Sequence, residues 1–169
     1  MLFYDFEVFS HDWLVVIMDT DTHKTNHIIN DRQALISFYE QHKDNIWCGY
    51  NSRSYDQYIL KSILLNFNPK EVNDWIIKDH KPAWQYSSML NKIQFYNYDV
   101  MTDRGHSLKQ LEGFLGNNIK ETSVPFDINR KLTATEIQET IKYCTSDVMN
   151  TINVFIQRKE EFTSQMSLI

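Results

Sequence analysis

The stretch Leu2-Phe3-Tyr4-Asp5-Phe6-Glu7-Val8-Phe9, followed by Ser10-His11-Asp12 and then Trp13-Leu14-Val15-Val16-Ile17-Met18, decides how this chain folds. Its first part is dense in aromatic and β-branched side chains, which favour a strand. The polar triplet is a tight turn and the apolar run after it a second strand, so the spacing predicts an antiparallel hairpin. Strands repeat every two residues, so Asp5 and Glu7 project from one face. Two neighbouring carboxylates in an apolar strand repel each other and resist burial. A hard divalent cation relieves that conflict, because it takes oxygen ligands. An exposed edge strand with two ordinary surface acids is the competing reading, and an Asp-x-Glu pair alone is weak.

Beyond the hairpin, residues 19–23 form a polar turn and residues 27–29 a third strand. Asp31 is placed to cap a helix reaching about His42, with Leu35, Ile36 and Tyr39 on one face. Residues 46–50 read as a short buried strand, residues 54–66 as a helix, and Pro69 opens another helix through Val72, Trp75 and Ile76. Residues 93–100 are strand-like, and Ser107 starts a helix stopped by Gly116. Thr133 and Glu136 form a capping box ahead of a final helical region. Hairpin-led strands with intervening helices predict an α/β domain, a mixed sheet flanked by helices. The 169 residues suit one domain with one substantial core.

No apolar run approaches the length of a membrane span, and the N-terminus lacks the pattern of a secretion signal. Cys48 and Cys144 form no CxxC pattern, which favours free thiols in a reducing compartment. The six histidines show no zinc spacing. The formal charge of −5 counts against a tight, passive nucleic-acid binder, since such modules are usually basic.

Two further acids stand out. Asp56 lies where the chain leaves the 46–50 strand, passes Asn51 and enters a helix, and loops at strand ends are where open α/β sheets place their chemistry. Asp56 also sits at the positive end of its helix, and stabilising that helix is enough to explain it alone. Tyr143 and Asp147 are four apart on the last helix and share a face, which a core tyrosine and a solvated aspartate would also satisfy.

Taken together, Asp5-Phe6-Glu7, the segment Asn51 to Asp56, and Tyr143-Cys144-Thr145-Ser146-Asp147 resemble, in order and spacing, the three exonuclease motifs of the DEDD superfamily. Lys142 stands where the histidine variant would place its histidine, so Tyr143 points to the tyrosine subclass. A closer likeness is to the proofreading exonuclease domains of protein-primed family B DNA polymerases of phages and plasmids. It extends to the lysine-containing segment Ser107-Leu108-Lys109-Gln110-Leu111 and to Lys131-Leu132-Thr133. The resemblance covers nearly the whole chain and implies an RNase H-like fold. It implies 3′→5′ cleavage of DNA with release of nucleoside 5′-monophosphates, and two Mg²⁺ or Mn²⁺ ions held by Asp5, Glu7, Asp56 and Asp147. Asp5 would be the shared ligand, Glu7 and Asp147 would complete one ion's site, and Asp56 would serve the other. Tyr143 and Glu7 would orient the attacking water, and Asn51 and Lys109 would touch the substrate. The two ions would bring positive charge to the place where the phosphodiester sits, so the acidic composition is no obstacle.

The same resemblance implies a single-stranded DNA 3′ end as partner and work in a phage-infected or bacterial cytoplasm, with the chain either a stand-alone nuclease or the N-terminal part of a longer replication protein. The apolar Met166, Leu168 and Ile169 in the last residues favour that extension. Action on RNA and use as an exonuclease-like interaction module are the alternatives. Nothing in the chain reads a 2′-hydroxyl, and a binding module would be marked by loss of one or more acids. Asp99, where the superfamily often has a supporting aspartate, reads as structural, and Asp127 as a loop acid. Phe6, Tyr50, Tyr55 and Phe126 are candidates for stacking on terminal bases.

Overall fold

The structure, a computed structural model, describes residues 1–101 and 124–167, with side chains through residue 160. Among the described residues the sheet has five strands: β1 (Leu2–Val8), β2 (Trp13–Asp19), β3 (Thr25–Ile29), β4 (Ile46–Gly49) and β5 (Tyr96–Asp99). The α-helices among the described residues are α1 (Arg32–His42), α2 (Asp56–Leu64), α3 (Pro69–Ile77) and α4 (Ala134–Ser167). Strand order is β3-β2-β1-β4-β5. The β1–β2 and β2–β3 pairs are antiparallel, whereas β1–β4 and β4–β5 are parallel. The chain is thus of the expected α/β class, a mixed sheet flanked by helices, and its strand order and directions are compatible with an RNase H-like fold.

Alternation along β1 builds two cores. Leu2, Tyr4, Phe6 and Val8 point to one face, where they join Val15, Ile17, Leu35, Ile59 and Val72 from β2, α1, α2 and α3. Phe3 points to the other, with Leu14, Val16 and Cys48, beneath Cys144, Val148 and Val154 of α4. A sheet covered on both faces reads as continuous apolar runs rather than strict alternation, which is why β1 and β2 look apolar throughout. The covered position of β1 rules out the edge-strand reading of Asp5 and Glu7: β1 is the central strand of five.

Helix ends follow the caps. Asp31 accepts the Ala34 amide at 3.0 Å, and Asn68 accepts the Lys70 amide at 2.9 Å ahead of Pro69. Thr133 and Glu136 close the expected capping box reciprocally, at 2.9 and 3.2 Å. The Arg32 guanidinium donates to the carbonyls of Ile63 and Leu64, satisfying the end of α2.

Several expected boundaries move, most by one or two residues. The strand at 93–100 begins only at Tyr96, because a 3₁₀ turn, Ser88–Lys92, capped by Ser87, precedes it, and Ile93 and Phe95 pack against the first core instead. The strand at 46–50 stops at Gly49, and α2 starts at Asp56 because residues 50–55 turn. The helix expected at 107–116 lies outside the described residues. Among those residues no helix is long and apolar enough to cross a membrane.

The β1–β2 turn is tied to the segment entering α4. Asp12, 6% exposed, accepts the Leu132 amide at 2.8 Å and the Asn30 side-chain amide at 2.7 Å, and lies 3.4 Å from the Lys131 ammonium. Burial alone would raise its carboxyl, but these partners outweigh it and hold Asp12 below the usual carboxylate range.

Candidate metal centre

The site forms where the parallel pairing of β1 and β4 ends. That pairing covers only Leu2↔Trp47 and Phe3↔Cys48, after which the chain leaves β4 while β1 runs on. Asp56 occupies the gap. It opens α2, is 3% exposed, and its Oδ1 accepts the Phe6 amide at 3.0 Å. The carboxylate thus replaces a missing strand partner and is pinned beside β1.

The loop between Gly49 and Asp56 is curled tightly and hung from β5. A Cβ on Gly49 would lie 2.7 Å from the Cβ of fully buried Ser52 and 3.3 Å from the Tyr4 carbonyl oxygen. Asn51 adopts φ 59°, a left-handed conformation that asparagine tolerates. Asp99 accepts three backbone amides, from Asn51 at 2.9 Å, Arg53 at 3.1 Å and Met101 at 2.9 Å. A buried chain adds to this: the Tyr4 hydroxyl donates to Asn97 Oδ1 at 2.7 Å, and Asn97 Nδ2 donates to Ser52 Oγ at 3.2 Å. Asp99 is therefore a structural anchor of the loop that delivers Asp56.

From the other side comes α4. Cys144 and Val148 are buried against the sheet, and Tyr143 and Asp147 are half-buried on the same helix. The Cys144 Sγ lies 3.3 Å from the Asp5 carbonyl oxygen and 3.4 Å from Asp5 Oδ2. Donor atoms of Asp5, Glu7 and Cys144 all fall within 4.8 Å of one another.

The electrostatics register how crowded the acids are. Burial, then the charges of Asp56, Glu7 and Asp147, raise the Asp5 carboxyl well above the usual carboxylate range. Burial pushes Asp56 up to about 7, with Asp99 and Asp147 adding to the rise, while the Phe6 amide opposes it. Burial and the charges of Asp5, Glu7 and Asp147 push the Cys144 thiol up as well, so it stays protonated. The structure therefore brings Asp5, Glu7, Asp56 and Asp147 into one electrostatic neighbourhood from β1, α2 and α4. Among the described residues neither Asp5 nor Asp56 has a lysine or arginine partner. The donors gathered within 4.8 Å are two carboxylates and a thiol; the carboxylates suit a hard divalent cation, while Asp56 and Asp147 act on them through charge and lie outside that cluster.

A cavity of about 300 Å³ adjoins Glu7, walled by Phe6, Val8, Tyr55, Ile77 and Phe126, with Lys70 and Lys78 also lining it. Tyr55 spans the two sites. Its hydroxyl hydrogen-bonds Asn73 Oδ1, while burial and the charges of Asp56, Glu7 and Asp5 raise its pKa well above the ordinary value. Phe126 stacks on Phe9 with centroids 5.3 Å apart. Of the stacking candidates, Phe6, Tyr55 and Phe126 line this cavity, whereas Tyr50 packs against the second core.

The Asn51 side chain is exposed, its backbone amide is used by Asp99, and Lys109 lies outside the described residues. Sequence reading missed the Cys144–Asp5 contact. The only signal for it was that Cys144 lies three residues before Asp147, on the same side of one helical turn. No family model matches the chain, and no curated protein or solved structure matches it either.

Proposed function

We propose that this protein is a metal-dependent 3′→5′ exonuclease of the DEDD type, tyrosine subclass, acting on single-stranded or frayed DNA 3′ ends. One observation supports the reading: Asp5 and Glu7 cluster on the central strand within the electrostatic reach of Asp56 and Asp147, and Asp5 and Asp56 have raised pKa values and no cationic partner among the described residues. Perturbed carboxylates gathered next to a cavity are what a hydrolytic site needs. Asp5, Glu7, Asp56 and Asp147 would hold two divalent cations, Mg²⁺ or Mn²⁺. Such ions supply charge neutralisation at the phosphodiester and acidify bound water. The protein's own groups do the rest. Tyr143 and Glu7 orient the attacking water, and Asn51 contacts the sugar-phosphate. The cavity beside Glu7 takes the terminal base against Tyr55 and Phe126, and Lys70 and Lys78 supply positive charge for the phosphates 5′ to it. A polymerase domain on the same polypeptide or in a replication complex would deliver the 3′ end.

The test uses single-stranded DNA and RNA of one sequence, each labelled at the 3′ or the 5′ end, with Mg²⁺, Mn²⁺ or EDTA. Stepwise loss of the 3′ label from DNA as nucleoside 5′-monophosphate, abolished by EDTA, is the expected result. Preference for RNA would transfer the same chemistry to an exoribonuclease. Full activity in chelator, or none with either metal, would overturn the reading.

A further inference from the structure

The mechanism above leaves Cys144 unused, although it touches the residue expected to matter most. We infer that Cys144 is a positioning residue for Asp5, its thiol fixing the Asp5 carboxylate in the orientation that binds metal. This rests on the exonuclease reading.

Three observations carry it. Cys144 is fully buried, and its sulfur faces two oxygens of Asp5, the carbonyl at 3.3 Å and Oδ2 at 3.4 Å. The contact joins residues 139 apart in the chain, so it locks α4 to β1 at the site itself. Tyr143 and Asp147 share the turn of α4 that carries Cys144, so the contact also fixes their height along β1. The chemistry suits the place. Ligating carboxylates need a partner that orients them, and a lysine or arginine there would compete with the metal for their charge. A thiol donates a weak hydrogen bond, adds no charge, and fills the space under the carboxylate with a small apolar body.

The experiment compares the wild type with Cys144→Val, which keeps the volume and drops the donor, and Cys144→Ser, which restores a donor. Mn²⁺ affinity is read from the free-ion EPR signal, and single-stranded DNA affinity is measured separately in EDTA. Cys144→Val should weaken Mn²⁺ binding about tenfold, as loss of a partner to a ligating group does, with DNA affinity unchanged. Cys144→Ser should recover most of the loss. If the wild type binds Mn²⁺ and Cys144→Val binds it equally well, the inference falls and the exonuclease reading stands. The inference also falls if Cys144→Ser binds no better than Cys144→Val, because packing rather than donation would then explain the loss. A wild type that binds no Mn²⁺ would overturn both.

Discussion

Replacing Asp5 by asparagine removes a negative charge that Asp56, Glu7 and Asp147 all oppose. Without metal, that charge strains the fold once the raised carboxyl ionises, so Asp5→Asn should melt a few degrees higher than the wild type in EDTA at alkaline pH, with the difference shrinking as the pH falls. The same variant should lose activity by about 10³-fold or more, equivalent to roughly 4 kcal/mol of transition-state stabilisation. Paired melting curves and rate measurements decide it, and a variant both less stable and fully active would contradict the site. The raised carboxyls also set a pH dependence. A carboxyl raised in the folded state binds protons more tightly there than in the unfolded chain. Its contribution is fully present below the unfolded value near 4 and is lost as pH rises toward the folded value. With Asp56 raised to about 7 and Asp5 also raised, metal-free protein should lose stability between about pH 4 and 7. Asp12, held below the ordinary range, contributes with the opposite sign and only at more acid pH. Melting from pH 5 to 8 in EDTA should show the decline, and the gain in melting temperature from added Mn²⁺ should grow over the same interval. A metal-induced gain that is flat with pH would argue against these acids as ligands.

At the scale of elements, two connections hold the site together. Gly49 ends β4 against Ser52, and a Cβ there would lie 2.7 Å from the buried Ser52 Cβ and 3.3 Å from the Tyr4 carbonyl oxygen, so the loop would have to shift. Gly49→Ala should cost about 1–3 kcal/mol and displace the loop that delivers Asp56, so weaker Mn²⁺ binding should accompany the lower melting temperature. A variant with wild-type values for both would show that the loop can yield. Asp12 couples the β1–β2 turn to the entry of α4, and Asp12→Ala leaves the buried Leu132 amide without its acceptor. The loss should be roughly 2–3 kcal/mol, a fall of about 5–10 °C in melting temperature, read by calorimetry. Elements of this kind divide sharply in how far the sequence reveals them. The β1–β2 hairpin, the caps Asp31 and Thr133, the helix opened by Pro69, and the shared face of Asp5 and Glu7 are local, so composition and period disclose them. The start of β5 was misplaced because apolar Ile93 and Phe95 look like strand residues while packing from an irregular segment. The loop-anchoring role of Asp99 and the contact of Cys144 with Asp5 depend on strands and helices meeting across long stretches of chain, which no local pattern encodes.

Across the whole molecule, a net charge of −5 gives no long-range attraction for duplex DNA. On the proposed reading affinity would rest on metal, on the cavity beside Glu7 and on stacking, the last two of which need an unpaired terminal base. Unpairing costs a few kcal/mol, so a 3′-mismatched end should be cut faster than a matched one, and single strands at least as fast as either. Equal rates on the three oligonucleotides would remove the case for proofreading while leaving the metal chemistry intact. The strand order also imposes a timetable on synthesis. β1, β2 and β3 are sequence neighbours joined by short turns, so their half of the sheet can close from local contacts within the first 29 residues. The opposite half reaches β1 only through distant partners, the last of them α4. At ordinary rates of translation the hairpin bearing Asp5 and Glu7 emerges on the order of ten seconds before Asp147 is made. On the exonuclease reading a nascent chain would therefore carry Asp5 and Glu7 in place without a complete centre, which would be assembled only with the docking of one late-made helix.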